Sequence, residues 1–168
     1  MYIRKRVPGK DDPILVDMVV NNFQVRKEVI ELILRMANEV LIVSDNNNTI
    51  VGFVSYRFRI GQMIYIDYVV LDTKHQGKGI ASSVLPAFER HLMEQGIRTV
   101  LGTVDEENTD ALKVFQRWGF KVQGQIGSNM VILKELDGSK SDSNQLKSVQ
   151  YSSIVRKLNT APPLRPRR

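Results

Sequence analysis

The chain has 168 residues, 42% of them hydrophobic, which suits one domain with an ordinary core and would leave two domains cramped. Zero cysteines exclude disulfides, thiolate metal ligands and cysteine nucleophiles, and two histidines, His75 and His91, are too few for a typical zinc site, so no intrinsic metal is expected. The net charge of +6 is concentrated at the end, with +5 in residues 137–168 and +1 in residues 1–136, so the body is near neutral and a nucleic-acid groove is not expected.

Residues 2–7 alternate apolar and basic side chains and read as an edge strand stopped by Pro8-Gly9. Asp11 or Asp12 can cap a first helix to about residue 21, with Pro13 near its first turn. Val25, Val29, Leu32, Ile33 and Met36 recur at helical spacing and predict a second helix over 25–38. Residues 40–43 and 49–58 read as a hairpin around the turn formers Ser44 to Asn48. The nearly continuous apolar run 63–71 reads as a buried central strand. A helix over 77–95 places Ile80, Val84, Phe88 and Leu92 at four-residue intervals. Pro86 inside it costs about 3 kcal/mol, so a bend or a poorer first half is expected.

A strand over 97–104, a short helix over 108–118 closed by Gly119, and strands over 120–126 and 129–136 complete the set. The order βααβββαβαββ has one strand–helix–strand unit in its middle, which implies a parallel pair, and hairpins on either side, which imply antiparallel ones. The expected fold is therefore α/β, a mixed and mostly antiparallel sheet with a central parallel pair, flanked by about four helices. Residues 1–136 would form the domain. Residues 137–168, rich in Ser and Lys and ending in a Pro-containing basic stretch, read as a largely disordered tail, within which 149–158 could equally form a strand or a docking helix. No apolar run approaches the length of a membrane span, and the basic start leads into no signal-like stretch, so a soluble cytoplasmic protein is expected, with no membrane partner.

The chemistry concentrates in residues 69–82, where Val69, Val70 and Leu71 end a strand and Gln76-Gly77-Lys78-Gly79-Ile80-Ala81-Ser82 turns into a helix. Two glycines let backbone N–H groups approach a ligand, and the first helical turn adds unsatisfied donors and partial positive charge. That is an anion site suited to phosphate. It is not a Walker A loop, because no Ser or Thr follows Gly77-Lys78, and the third glycine of a dinucleotide fingerprint is missing.

Gln76, Gly79 and Ala81 match Q/R-x-x-G-x-G/A and resemble the acetyl-CoA motif of the GNAT superfamily. Asn108, Ala111, Phe115, Gly119 and Phe120 resemble that family's second motif, N-x-x-A-x-x-x-(Y/F)-x-x-x-G-F. The resemblance covers about residues 1–136, with the signature in 67–120. It implies an N-acyltransferase that moves an acetyl group from acetyl-CoA to a primary amine of a small molecule or of a protein or peptide, by direct attack. The alternative is a CoA-binding or regulatory module without turnover. The resemblance further implies that the backbone of Val69, Val70 and Leu71 pairs with the pantetheine arm. Residues Gln76, Gly77, Lys78, Gly79, Ile80, Ala81 and Ser82 would hold the diphosphate, with Asn108 and Phe115 beside the thioester.

Direct attack needs a neutral amine, and deprotonating an alkylammonium at pH 7 costs about 4 to 5 kcal/mol, so a base or an ordered water is useful. Asp67, a carboxylate inside an apolar strand, is the candidate base; the competing reading is a structural aspartate bonded to backbone or to an arginine. Glu106 and Glu107 read as solvated loop residues, and His75 as a surface residue. Many relatives place a proton-donating tyrosine where Phe115 stands, and several a glutamate where Thr103 stands. Tyr65, Tyr68 or a water are the alternatives for the donor. Asn21-Asn22-Phe23 reads as a helix–helix loop or as the acceptor mouth, and the absence of an acidic cluster there argues against strongly cationic acceptors. Monomer and homodimer both remain open.

Overall fold

A computed structural model of the chain describes residues 1–136; residues 137–168, including the segment 149–158, lie outside the described residues. The elements are β1 (Tyr2–Lys5), α1 (Pro8–Phe23), α2 (Lys27–Met36), β2 (Glu39–Ser44), β3 (Ile50–Ile60), β4 (Met63–Leu71), α3 (Ile80–Glu94), β5 (Thr99–Asp105), α4 (Thr109–Arg117), β6 (Lys121–Ile126) and β7 (Asn129–Glu135). One sheet takes the strands in the order β1-β2-β3-β4-β5-β7-β6. Among the described strands only β4 and β5 run parallel, on either side of the α3 crossover, and every other neighbouring pair is antiparallel. This is the mixed α/β sheet the element order implies.

Helices cover both faces. Phe88 and Leu92 of α3 bury against Ile64, Ile66, Val100 and Ile132, with Phe115 of α4 packed on the same cluster. Leu15, Val16 and Val19 of α1 and Ile30 and Leu34 of α2 bury against Val40, Ile42, Phe53 and Val70 on the opposite face. Each such side chain contributes about 1.5–3 kcal/mol on leaving water, which is what fixes the strand faces.

Four local expectations are corrected. Pro8 opens α1 instead of merely ending the strand, because the first helical position needs no N–H and suits its fixed φ. Asp11 lies inside that helix and not in front of it: its buried carboxylate reaches back to the Val7 N–H at 2.7 Å and pairs with Arg4. Asn21, Asn22 and Phe23 form the last turn of α1, which ends at Gln24 with φ of 48°, so they are not a loop. α3 starts at Ile80 and runs unbroken past Pro86, whose ring is exposed together with Ser82, the residue whose carbonyl loses its amide partner. Among the described residues no helix is long and apolar enough to cross a membrane.

Candidate active site

β4 and β5 pair only from Met63 to Ile66 against Thr99 to Gly102. Beyond that point β5 stays on β7 as far as Asp105, and β4 stays on β3 as far as Leu71. The sheet therefore splits in its middle, and residues 67–71 form an internal edge whose alternate N–H and C=O groups face the gap. The gap is a cleft of about 300 Å³, lined by Asp67, Tyr68 and Val69 on one side, by Thr103 and Asp105 on the other, and by Asn108 and Phe115 of α4 and Phe23 of α1.

A β-bulge sits where the split begins. Ser55 pairs with Tyr68 and Tyr56 with Ile66, leaving Asp67 as the extra residue. Ile64 and Ile66 face α3, whereas past the bulge Tyr68 and Val70 join the cluster under α1 and Val69 returns to the α3 side. The inserted residue thus re-aims the strand and places a carboxylate at the cleft. Farther along, Gly52 lies opposite Leu71, and a Cβ there would meet the Val70 carbonyl oxygen at 2.4 Å, so only glycine lets β3 hold this end of β4 so closely.

The turn after β4 has the geometry of an anion site. After a single 3-10 turn at Thr73–His75, Gly77 and Gly79 take φ of +71° and +74°, and among the described residues nothing beyond their immediate chain neighbours lies within 4 Å of where their Cβ atoms would be. Gly79 is the N-cap of α3 and brings no side-chain cap; the first helical bond runs from Ser83 N–H to the Gly79 carbonyl at 3.0 Å. The N–H groups of Ile80, Ala81 and Ser82 are left with no partner among the described residues. Lys78 stands exposed beside them. The Gln76 side chain points back into the protein, donating to the Leu71 carbonyl at 2.9 Å and to Asn22 Oδ1 at 2.8 Å. It clasps the turn to the end of β4 and to α1.

An apolar slot of about 40 Å³ runs between α3 and β4, lined by Val69, Leu71, Ala81, Leu85, Phe115 and Trp118. It shares Ile66, Val69, Phe115 and Phe120 with the cleft, so turn, slot and cleft follow one another. Trp118 Nε1 donates to Ser82 Oγ at 3.0 Å and ties α4 to the start of α3.

Asp67 is 3% exposed at its side chain. Arg57 Nε approaches its Oδ1 to 2.5 Å as an ion pair, but the N–H is not aligned as a hydrogen bond, and Oδ2 has no partner among the described residues. Burial therefore dominates, and the carboxyl is pushed up to about 6 despite the guanidinium. The Tyr65 hydroxyl lies 2.7 Å from Thr103 Oγ1, and it is Thr103, not Tyr65, that lines the cleft. Burial raises the phenols of Tyr65 and Tyr68 above their ordinary value. Asn108 caps α4, its Oδ1 accepting from the Ala111 N–H at 3.2 Å, and its amide nitrogen is left for the cleft. Phe115 sits edge-on to Trp118 and Phe120 at 5.4 and 5.2 Å. His75 pairs with Asp72, Glu106 accepts from Gln125, and neither His75 nor Glu106 lines the cleft.

Arg57, Gly52, Trp118 and the clasp to Asn22 were not legible as site residues from the sequence. The one signal was Gly52, since a glycine within a strand marks a bulge or a close backbone approach. Among the described residues no group of three or more histidines and carboxylates is placed to hold a metal ion.

The model of the acetyltransferase (GNAT) family matches residues 17–120. This chain belongs to the GNAT family. Over 76 residues this GNAT chain is 32% identical to the spermine/spermidine N(1)-acetyltransferase of Bacillus subtilis (strain 168), covering 44% of this chain and 50% of that protein. Over 80 residues it is 32% identical to the mycothiol acetyltransferase of Saccharopolyspora erythraea, covering 48% of this chain and 26% of that protein. The chain thus spans half the length, or less, of these curated relatives. A crystal structure of aminoglycoside 6'-N-acetyltransferase complexed with coenzyme A superposes with a TM-score of 0.70 at 13% identity, covering 84% of this chain and 100% of that one. A GNAT family acetyltransferase from Elizabethkingia anophelis with acetyl-CoA bound gives 0.67 at 16% identity, covering 79% and 96%. At these identities the likeness is one of fold, and the GNAT fold is what they share.

Proposed function

We propose that this chain is an N-acetyltransferase that moves the acetyl group of acetyl-CoA to a primary amine. The observation that carries the reading is the continuity of three features: unpartnered N–H groups at the start of α3, an apolar slot beneath that helix, and an internal strand edge that opens where β4 leaves β5. A diphosphate joined to a long amide-bearing arm that ends in a thioester fits that sequence of surfaces. Ile80, Ala81 and Ser82 would hold the diphosphate with their N–H groups, while Gln76, Gly77 and Gly79 shape the turn and Lys78 adds charge. Val69, Val70 and Leu71 would pair with the arm as an added strand. Asn108 and Phe115 would flank its reactive end.

Asp67 is the proposed base. Its raised proton affinity narrows the gap to an alkylammonium by about 3 kcal/mol relative to an ordinary carboxylate. The ammonium gives one proton to Asp67 Oδ2, the neutral nitrogen forms a bond to the acetyl carbon as the carbon–sulfur bond breaks, and a second N–H proton leaves with the thiol. Tyr65 acts through Thr103, a cleft residue whose hydroxyl it contacts. Residues 1–136 make up the catalytic unit and residues 137–168 an appended tail, working as monomer or homodimer in the cytoplasm, where the donor is used.

Thermal stabilisation by acetyl-CoA together with thiol release across an amine panel tests the reading. Ligand at 100 times its Kd adds about 2.7 kcal/mol of stability. Stabilisation without thiol release would instead support a CoA-binding module, the reading favoured by a phenylalanine at position 115 that cannot donate a proton.

A further inference from the structure

We infer that the acceptor is a small amine that carries a second positive charge and no carboxylate. This rests on the acyl-transfer reading above and concerns the acceptor side of the same cleft. Two carboxylates line it, Asp67 and Asp105, and no lysine, arginine or histidine does. Asp67 is one of the residues that line the cleft, and its buried Oδ2 has no partner among the described residues, so it is left with acceptor capacity for an N–H donor. Arg57, which does not line the cleft, is engaged, its guanidinium against Asp67 and 4.9 Å over the ring of Phe58.

Asp105 stands at the exposed end of β5, where its Oδ1 accepts from the Glu107 N–H at 2.9 Å. That bond engages one carboxylate oxygen of an exposed residue that lines the cleft. In the same lining, Phe23 and Tyr68 meet edge to face at 5.9 Å and give the cleft an aromatic surface. Such a surface suits an alkyl chain and also attracts a cation. A molecule with an amine at Asp67, an alkyl chain along Tyr68 and Phe23, and a second ammonium at Asp105 satisfies every polar group named. An α-carboxylate in the same place would meet two like charges with no counter-cation. The volume of about 300 Å³ limits the occupant to a small molecule. These carboxylates lie far apart in the sequence, on two strands and outside the first helices, which is why no acidic cluster is visible in the chain itself.

Three matched acceptors test this with the full-length chain and acetyl-CoA: 1,5-diaminopentane, pentylamine and lysine. They share a five-carbon chain with a terminal amine and differ in the second charge and in the carboxylate. The expected result is a kcat/KM for the diamine about tenfold or more above both others. In Asp105→Asn the ratio of diamine to pentylamine falls severalfold. Equal or faster reaction of pentylamine or lysine overturns the charge reading and leaves acyl transfer standing, and so does a diamine preference unmoved by Asp105→Asn. If none of the three is acetylated while another class of amine is, this inference fails and acyl transfer stands; if acetyl-CoA binds but no amine of a panel extended to peptides is acetylated, acyl transfer fails and this inference falls with it.

Discussion

Arg57 and Asp67 are in contact at 2.5 Å, and the Asp67 carboxyl nevertheless holds its proton more tightly than an exposed aspartate. Burial of a side chain that is 3% exposed outweighs one imperfectly aligned cation. The result is a base whose proton affinity lies just below neutral pH, at the point where the sheet splits.

Asp67 should set the acid limb of the pH profile. kcat/KM is expected to fall as pH drops through about 6, and Asp67→Asn should lower it by about a hundredfold or more and abolish that limb. Stability moves the other way. A carboxyl whose folded value lies above its unfolded value of 3.8 costs stability when ionised, with no cost below about pH 4 and the full cost, about 3 kcal/mol, above about pH 6. The melting temperature of Asp67→Asn relative to wild type should therefore rise by several degrees between those limits. A constant difference would show that Asp67 does not titrate there.

Removing the cation should raise the proton affinity further. In Arg57→Met the acid limb is expected above its wild-type position, and the stability loss should be larger at pH 8 than at pH 5, because only the ionised carboxylate misses its partner. A limb that moves to lower pH would contradict the pairing.

Gly79→Ala probes the anion turn. A Cβ there meets no atom within 4 Å, so the expected stability cost is only that of the left-handed backbone, about 1–2 kcal/mol. Binding of acetyl-CoA should weaken by about tenfold or more, through misdirection of one N–H toward a phosphate oxygen. Unchanged affinity would remove this turn from the binding site.

Phe115→Tyr restores a hydroxyl to the junction of slot and cleft. If the leaving thiol lacks a good donor, kcat should rise severalfold with little change in KM. An unchanged kcat would indicate that Thr103, backed by Tyr65, already fills that role, and Thr103→Val should then reduce kcat.

The order of elements was legible because helical and strand periodicities are local, and the turn at Gly77 and Gly79 because glycines before an amphipathic helix have few other uses. Asp67 stood out as a carboxylate in an apolar strand. What it does could not be read, because the bulge that aims it and the arginine that meets it depend on how β3 registers against β4, a relation between residues about ten apart across a turn. The split of β4 from β5 is likewise a property of where pairing stops, and no residue type announces it. The end of α1 at Phe23 is hidden in the sequence because the helix stops at a left-handed Gln24, where a glycine would have given the signal. The clasp from Gln76 to Asn22 spans 54 positions and is visible only once α1 lies beside the turn.

The most direct test of the central claim is amine-dependent thiol release from acetyl-CoA, with the product identified by mass. The account predicts release of one thiol for each acetyl group gained by the amine, and loss of that activity in Asp67→Asn while acetyl-CoA still stabilises the variant. A chain that is neither stabilised by millimolar acetyl-CoA nor able to consume it with any amine would contradict the account.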